Sequence, residues 1–311
     1  MKIINSLKNL KIKENTAVAL GNFDGIHAGH KVILNDAVTT AKELGIKSVC
    51  FTFSNHPFNF IMHRSEKDED AIKLICQEDY KIKLIEDLGF DYLVNVPFDE
   101  EIMTMSSKVF FENIIVNSLN AAVLSVGFNY TYGARAEGKA DTLYKAGSDA
   151  GIEVHVHDAV KVFHEIVSST LIRNTIDEGN MELTAMYLDR EYSFKGVVHS
   201  GKNVGKVNGF PTINITAPED IQMPPNGVYF SRIKIDDEWY LSITNIGNQP
   251  TFEKSNYAIE TFVFDYNGNA YDKLVTVVLE HYHRAERKFE NKDELYKQIR
   301  NDCQAAISFR K

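Results

Sequence analysis

The chain has 311 residues, of which 44% are apolar and 25% charged, a globular composition that predicts two domains at about 150 residues each. With 18 Gly and 7 Pro it is neither collagen-like nor low-complexity, and a chain this long buries enough surface to hold a core without disulfide or structural-metal staples. The formal net charge is −9, with nearly all of the acidic excess in residues 1–185, so a general nucleic-acid binder is excluded and any anionic ligand has to be gripped by a local site.

The predicted elements begin with a buried strand at Thr16–Leu20 and a helix over 31–44 that Gly45 stops. Ser48–Phe53 reads as a second strand, rich in β-branched and aromatic residues. A helix over 72–88 ends at Gly89, and Asp91–Val96 is a third strand. A helix over 107–119, a strand at Ala121–Val126, a helix over 142–150 and a strand at Glu153–His157 complete the alternation. Strands separated by helices predict an α/β unit, a Rossmann-like parallel sheet covered on both faces. Residues 170–188 predict one or two helices.

From Tyr192 the pattern changes to short strands: Phe194–His199, Val228–Ile235, Trp239–Asn245, Ala258–Phe264 and Val275–Leu279. Asn267-Gly268 lies between the last two and predicts a hairpin turn. These runs predict a small antiparallel β-barrel, followed by a terminal helix over 292–306. The expected domains are therefore residues 1–185 and 186–311, with no internal repeat.

The three cysteines, Cys50, Cys76 and Cys303, are far apart and odd in number, which predicts a reducing compartment and neither a disulfide framework nor a zinc cluster. The opening Met1-Lys-Ile-Ile-Asn lacks a signal-peptide core, and no apolar run nears the roughly 20 residues that span a bilayer. We expect a cytoplasmic protein with small-molecule partners and neither nucleic acid nor membrane; a homo-oligomer stays open.

Two constellations carry chemistry. The first is Gly21-Asn-Phe-Asp-Gly-Ile-His-Ala-Gly-His30, which follows a strand and opens a helix. Unpaired N–H groups and the positive end of the helix face a ligand there. Gly21, Gly25 and Gly29 permit close approach of a phosphate, which Asn22, Phe23 and Asp24 would help to enclose. His27 and His30 are three apart and share a face, so two imidazoles can donate to a phosphate as its charge grows during transfer. The second is Val167-Ser-Ser-Thr-Leu-Ile-Arg173, where Ser168, Ser169 and Thr170 can cap a helix and Arg173 can neutralise a leaving pyrophosphate.

Together these segments resemble the nucleotidylyltransferases that use His-x-Gly-His. The second half narrows the resemblance. Gly196-Val-Val-His-Ser-Gly-Lys-Asn-Val-Gly-Lys-Val-Asn-Gly-Phe-Pro-Thr-Ile-Asn214, Asn245-Ile-Gly-Asn-Gln-Pro-Thr251, Glu260 and Arg284-Ala-Glu-Arg-Lys-Phe289 resemble a riboflavin kinase domain. Nearly the whole chain is similar to the bacterial bifunctional riboflavin kinase/FAD synthetase family.

The resemblance implies phosphorylation of riboflavin to FMN in the barrel and adenylylation of FMN to FAD in the α/β domain, with ATP and Mg²⁺ serving both. In the kinase it implies a nucleotide-covering segment with Gly201, Lys206 and Gly209, a Mg·nucleotide held by Thr212 and Asn214, Glu260 as general base, and Arg284 and Phe289 beside the flavin. In the adenylyltransferase it implies flavin contacts at His56, in Ser54-Asn-His-Pro57, and at Asn129, in Gly127-Phe-Asn-Tyr-Thr-Tyr-Gly133. The family usually has Asp where this chain has Asn129, and Asn55 replaces a Pro.

Overall fold

The structure, a computed structural model, describes residues 1–199, 212–248 and 257–310. Gly201, Lys206 and Gly209 lie outside the described residues. The chain divides into two compact units, residues 1–74 with 78–169, and residues 75–77 with 170–311.

In the first unit the strands are β1 (Lys2–Ile4), β2 (Thr16–Leu20), β3 (Lys47–Phe53), β4 (Tyr92–Val96) and β5 (Ala121–Gly127). Two short ribbons, β6 (Thr131–Tyr132) with β7 (Gly138–Lys139) and β9 (Lys161–Val162) with β10 (Glu165–Ile166), flank the sixth sheet strand, β8 (Glu153–His157). The sheet order is β1-β4-β3-β2-β5-β8, and every pairing is parallel. All five residues of β2 are buried, as a central strand of a two-faced sheet requires. From β2 the chain steps one way to β3 and β4, then returns to the other side at β5. The C-terminal ends of β2 and β5 therefore form a switch point, where open α/β sheets bind ligands.

The helices here are α1 (Ala28–Leu44), α2 (Pro57–Arg64), α3 (Glu78–Asp87), α4 (Glu100–Thr104), α5 (Ser107–Val109) and α6 (Ala140–Ala150); α5 continues as a π-helical stretch, Phe110–Ser118. Helix α1 turns Ile33, Leu34, Ala37, Val38 and Ala41 into the core and ends where Gly45, at φ 64°, donates its N–H to the carbonyls of Ala41 and Lys42, a left-handed cap that glycine adopts without strain.

The helix expected over 72–88 begins only at Glu78. The reason lies in residues 75–77, which group with the second unit. Ile75 and Cys76 are buried, and the Gln77 amide donates to the Lys195 carbonyl (3.1 Å) and accepts from the Lys195 N–H (2.7 Å). Burial and pairing of this tripeptide override its helical period. Strand β1 and helix α2 carry too few periodic positions for the sequence to announce them.

The second unit holds α7 (Ser169–Asp177), from Thr170 onward, and α8 (Met181–Leu188), then β11 (Tyr192–His199), β12 (Thr212–Thr216), β13 (Gly227–Ile235), β14 (Glu238–Asn248), β15 (Tyr257–Val263), β16 (Leu274–Arg284) and α9 (Lys292–Phe309). The strands close into an antiparallel barrel, β11-β12-β15-β14-β13-β16. β15 pairs with β12 and β14, and β16 pairs with β11 and β13. Asn267-Gly268 therefore does not make a hairpin between them, contrary to expectation: the connection carries its left-handed residues at Asp265 (φ 56°) and Asp272 (φ 61°) instead.

Alternation along the strands separates two barrel faces. Inside, Ser231, Ser242, Thr244 and Thr261 are fully buried and hydrogen-bond to one another at 2.8–3.0 Å, which offsets the cost of burying hydroxyls. Outside, Val228, Phe230 and Ile243 pack against Ala306 of α9.

Candidate active sites

The first site is a cavity of about 550 Å³ at the switch point of the parallel sheet. Its walls include Leu20 at the end of β2 and Gly21 just after it, Phe53 at the end of β3, and Gly127 at the end of β5. Three loop residues before α1 have positive φ: Phe23 (50°), Gly25 (82°) and Ile26 (41°). Phe23 and Ile26 are buried, and their burial holds a backbone that non-glycine residues avoid. A Cβ on Gly21 would lie 2.8 Å from the Phe23 ring, so a glycine is needed there. Thr52 donates its hydroxyl to the Asn22 carbonyl (3.0 Å) and Ser169 donates to the Asp24 carbonyl (3.0 Å), anchoring both sides of the loop.

His27 is the N-cap of α1, and its Nδ1 accepts from the His30 N–H (3.2 Å). The neutral ring therefore carries its proton on Nε2. The two imidazoles stack with centroids 3.6 Å apart, and Phe23 meets His30 edge-on at 5.3 Å. His27 is buried; His30 is half-buried and lines the cavity with Gly21, Asn22 and Phe23. Asp24, Gly25 and His27 sit behind them in the same loop. The arrangement places hydrogen-bond donors at the positive end of a 17-residue helix, the setting in which developing phosphate charge is stabilised.

The cavity also takes in His56 and Asn129. His56 caps α2, its Nδ1 accepting from the Phe58 N–H (3.2 Å), while the Asn55 amide bonds both backbone groups of Phe98 (2.6 and 3.0 Å). Asn129 is exposed and lies over Gly127. Sequence reasoning missed the aromatic lining from Phe53, Phe58 and Phe98, and also missed Arg135. Burial pushes the Tyr130 hydroxyl above its ordinary pKa, so this wall is neutral. The Ser168-Ser169-Thr170 segment spans the point where the units divide: Ser169 belongs to the first, while Thr170 and Arg173 belong to the second.

The second site, about 270 Å³, lies on the outer wall of the barrel beneath α9 and is lined by Thr212, Asn245, Glu260, Arg284 and Phe289 among others. Cross-strand register assembles it. Asn214 pairs with Glu260, Glu260 with Asn245, Asn245 with Val228, and Val228 with Arg284, so these side chains stand in one row across five strands. Thr212 occupies the same face of β12 as Asn214, two residues away.

Asp302 of α9, 2% exposed, binds the Arg284 guanidinium through two nitrogens (3.1 and 2.7 Å) and accepts from Gln298 (2.7 Å). Arg284 thus presents a neutralised ion pair to the cavity. The guanidinium of Arg287 lies 4.6 Å from the centroid of the Phe289 ring, and Asn245 donates to Glu286 (3.1 Å). Glu286, Arg287 and Asp302 were not singled out from sequence, because only the helix docking and the register bring them to Glu260.

Comparison with known proteins matches each unit to a family model: FAD synthetase over residues 9–171 and riboflavin kinase over 188–309. The bifunctional riboflavin kinase/FMN adenylyltransferase of Bacillus subtilis is 33% identical across 96% of this chain and 94% of that relative. The protein of the same name from Escherichia coli is 27% identical across 99% and 98%. A crystal structure described as a macrolide-efflux protein from Streptococcus pneumoniae superposes with a TM-score of 0.88 at 25% identity, covering 98% of this chain and 97% of that one. Among the described residues no helix is long and apolar enough to cross a membrane. With both family models in order along one chain, and a relative of that name matched at 33% identity over nearly its whole length, this protein belongs to the bifunctional riboflavin kinase/FMN adenylyltransferase family.

Proposed function

We infer that this chain makes FMN from riboflavin and ATP in the barrel domain and FAD from FMN and ATP in the α/β domain. The observation that carries the reading is the presence of two separate cavities, each built around the motif that its matching family model covers. We place the functional boundary at residues 185–186, between the end of one matched segment and the start of the next, and the protein in the cytoplasm, where both substrates meet ATP.

In the barrel, Glu260 takes the proton from the riboflavin 5′-hydroxyl as that oxygen attacks the γ-phosphorus and ADP leaves. Its place between Asn214 and Asn245 in the cross-strand row turns its carboxylate into the cavity, within reach of a hydroxyl held there. Thr212 and Asn214 offer a hydroxyl and an amide oxygen on one strand face, a neutral donor set suited to a cation that arrives already bound to phosphates. Mg²⁺ held there would neutralise charge on the transferring phosphoryl group. Phe289 gives the flavin ring an apolar face, and α9 excludes water behind it.

In the α/β domain, a phosphate oxygen of FMN attacks the α-phosphorus of ATP and pyrophosphate leaves. His27 and His30 donate to the α-phosphate as its charge builds. The Gly21–Gly25 backbone encloses the nucleotide phosphates, and Ser168, Ser169, Thr170 and Arg173 hold the pyrophosphate. His56 and Asn129 flank the flavin between the aromatic walls.

The test is chromatography of products after incubation of the full chain with riboflavin, ATP and Mg²⁺. FMN appearing first and FAD second is expected. FMN alone removes the adenylyltransferase assignment, and neither product removes both.

A further inference from the structure

The cavity of the α/β unit contains a charged lining group that the steps above leave without a role. Its other walls are aromatic, aliphatic, imidazole or neutral polar, and Arg135 is its one permanently charged lining side chain. Arg135 sits at the tip of the β6–β7 ribbon with φ 56° and ψ 26°, and Ala136 follows at φ 56°. Two successive left-handed residues other than glycine are strained and persist only where surrounding structure over-determines them.

That structure is present. The Ala134 N–H donates to the Met105 carbonyl (2.8 Å). The Ser107 N–H donates to Glu137 (2.6 Å), which holds the Glu137 carboxyl below its usual pKa. Gly133, at φ 76°, packs so closely that a Cβ would lie 2.5 Å from the Ser107 nitrogen. Three ties thus aim the tip, and among the described residues no hydrogen bond or ion pair occupies the Arg135 guanidinium.

We propose that Arg135 binds the phosphate monoester of FMN and so selects phosphorylated over unphosphorylated flavin for adenylylation. The proposal rests on the adenylyltransferase reading of this cavity. FMN and riboflavin share the ring that aromatic walls recognise, so those walls cannot separate them. They differ by a group that carries nearly two negative charges at neutral pH. A guanidinium fork recognises that group through paired hydrogen bonds, and discrimination of this kind comes from a polar site left unmatched by the wrong ligand. Selection matters in a chain that also handles riboflavin, because riboflavin bound here has no phosphate to attack ATP and would block the site.

The experiment measures FAD formation by the full chain from supplied FMN and ATP, with lumiflavin, the ring without the ribityl phosphate, as competitor. Asn tolerates left-handed backbone, so Arg135→Asn keeps the ribbon geometry. We expect it to raise the KM for FMN at least about tenfold while the KM for ATP and the inhibition constant of lumiflavin stay unchanged. Arg135→Lys, which keeps the charge and loses the fork, should recover part of the affinity. An unchanged KM for FMN overturns the assignment, and so does a parallel rise in the lumiflavin constant, which marks a merely structural role. Absence of FAD from the unsubstituted chain is a different result: it removes the reading of the cavity and the proposal with it.

Discussion

In the α/β unit most of the groups proposed to face phosphate come from the stretch 21–30, ordered by one strand end, one helix start and the burial of Phe23 and Ile26. In the barrel the corresponding groups come from β12, β14, β15, β16 and the 286–289 segment, aligned by cross-strand register and covered by α9. The first construction is local, so its geometry survives as long as one loop keeps its caps. The second is distributed, so its geometry depends on the whole barrel closing in one register. Chemistry in the two places should therefore fail separately, and damage to the fold should fall harder on the second.

The largest effects test that separation. Glu260→Gln should lower FMN production by a factor of about 10²–10⁴, the range of general-base catalysis, while FAD formation from supplied FMN stays as it was; undiminished FMN production removes Glu260 from the base role. His30→Ala should lower FAD formation by about 10²–10³, as loss of a preorganised donor does, and leave riboflavin phosphorylation untouched. Parallel loss of both rates in either variant would contradict two independent sites.

The same contrast explains what was legible in the sequence. The His27–His30 loop could be read directly, because Gly spacing, a preceding apolar strand and a following amphipathic helix all lie within one window. The parallel sheet and most barrel strands were visible for the same reason. Residues 72–77 misled, because their helical period is overridden by the Gln77 bonds to Lys195. Asn267-Gly268 misled because a turn dipeptide carries no information about which strands close a barrel. Asp302 was invisible as a site residue, since nothing in a helix sequence says which strand it will cover. Arg135 was invisible because it lies among Ala, Glu and Gly, and its left-handed conformation is imposed by Ser107 and Met105 from another segment.

The distributed site has a stability signature that the local one lacks. Asp302→Ala leaves the half-buried Arg284 without its carboxylate, and breaking a buried pair on one side costs about 3–5 kcal/mol. Thermal unfolding should show that loss, together with a raised KM for riboflavin. The double variant Asp302→Leu with Arg284→Met removes both charges, so it should regain much of the stability and little of the riboflavin affinity. If the double variant is as unstable as the single one, the Asp302–Arg284 pair is not what fastens α9 to the barrel.

The smallest effect belongs to the α/β unit and reads out as a pH dependence. His155 Nδ1 lies 2.8 Å from Asp36 on α1, and its Nε2 lies 3.1 Å from Glu153. Burial works against the charged imidazole, but the bonds to Asp36 and Glu153 outweigh it and raise the His155 pKa. Burial likewise opposes ionisation of Asp36, and the bonds with His155 and Ser125 lower its pKa despite that. A raised histidine adds stability that is fully present below its unfolded value, about 6.5, and is lost as pH rises through the folded value. A lowered carboxylate adds stability above its unfolded value, about 3.9, and loses it as pH falls through the folded one. The pair therefore stabilises the unit most between roughly pH 4 and pH 6.5. Both side chains are about a quarter exposed, which limits the contribution to about 1 kcal/mol. His155→Gln should lower the Tm of the α/β unit more at pH 6 than at pH 8.5, and the barrel's own transition should not move at either pH. An equal Tm loss at both pH values would assign His155 a packing role and take the charge out of the account.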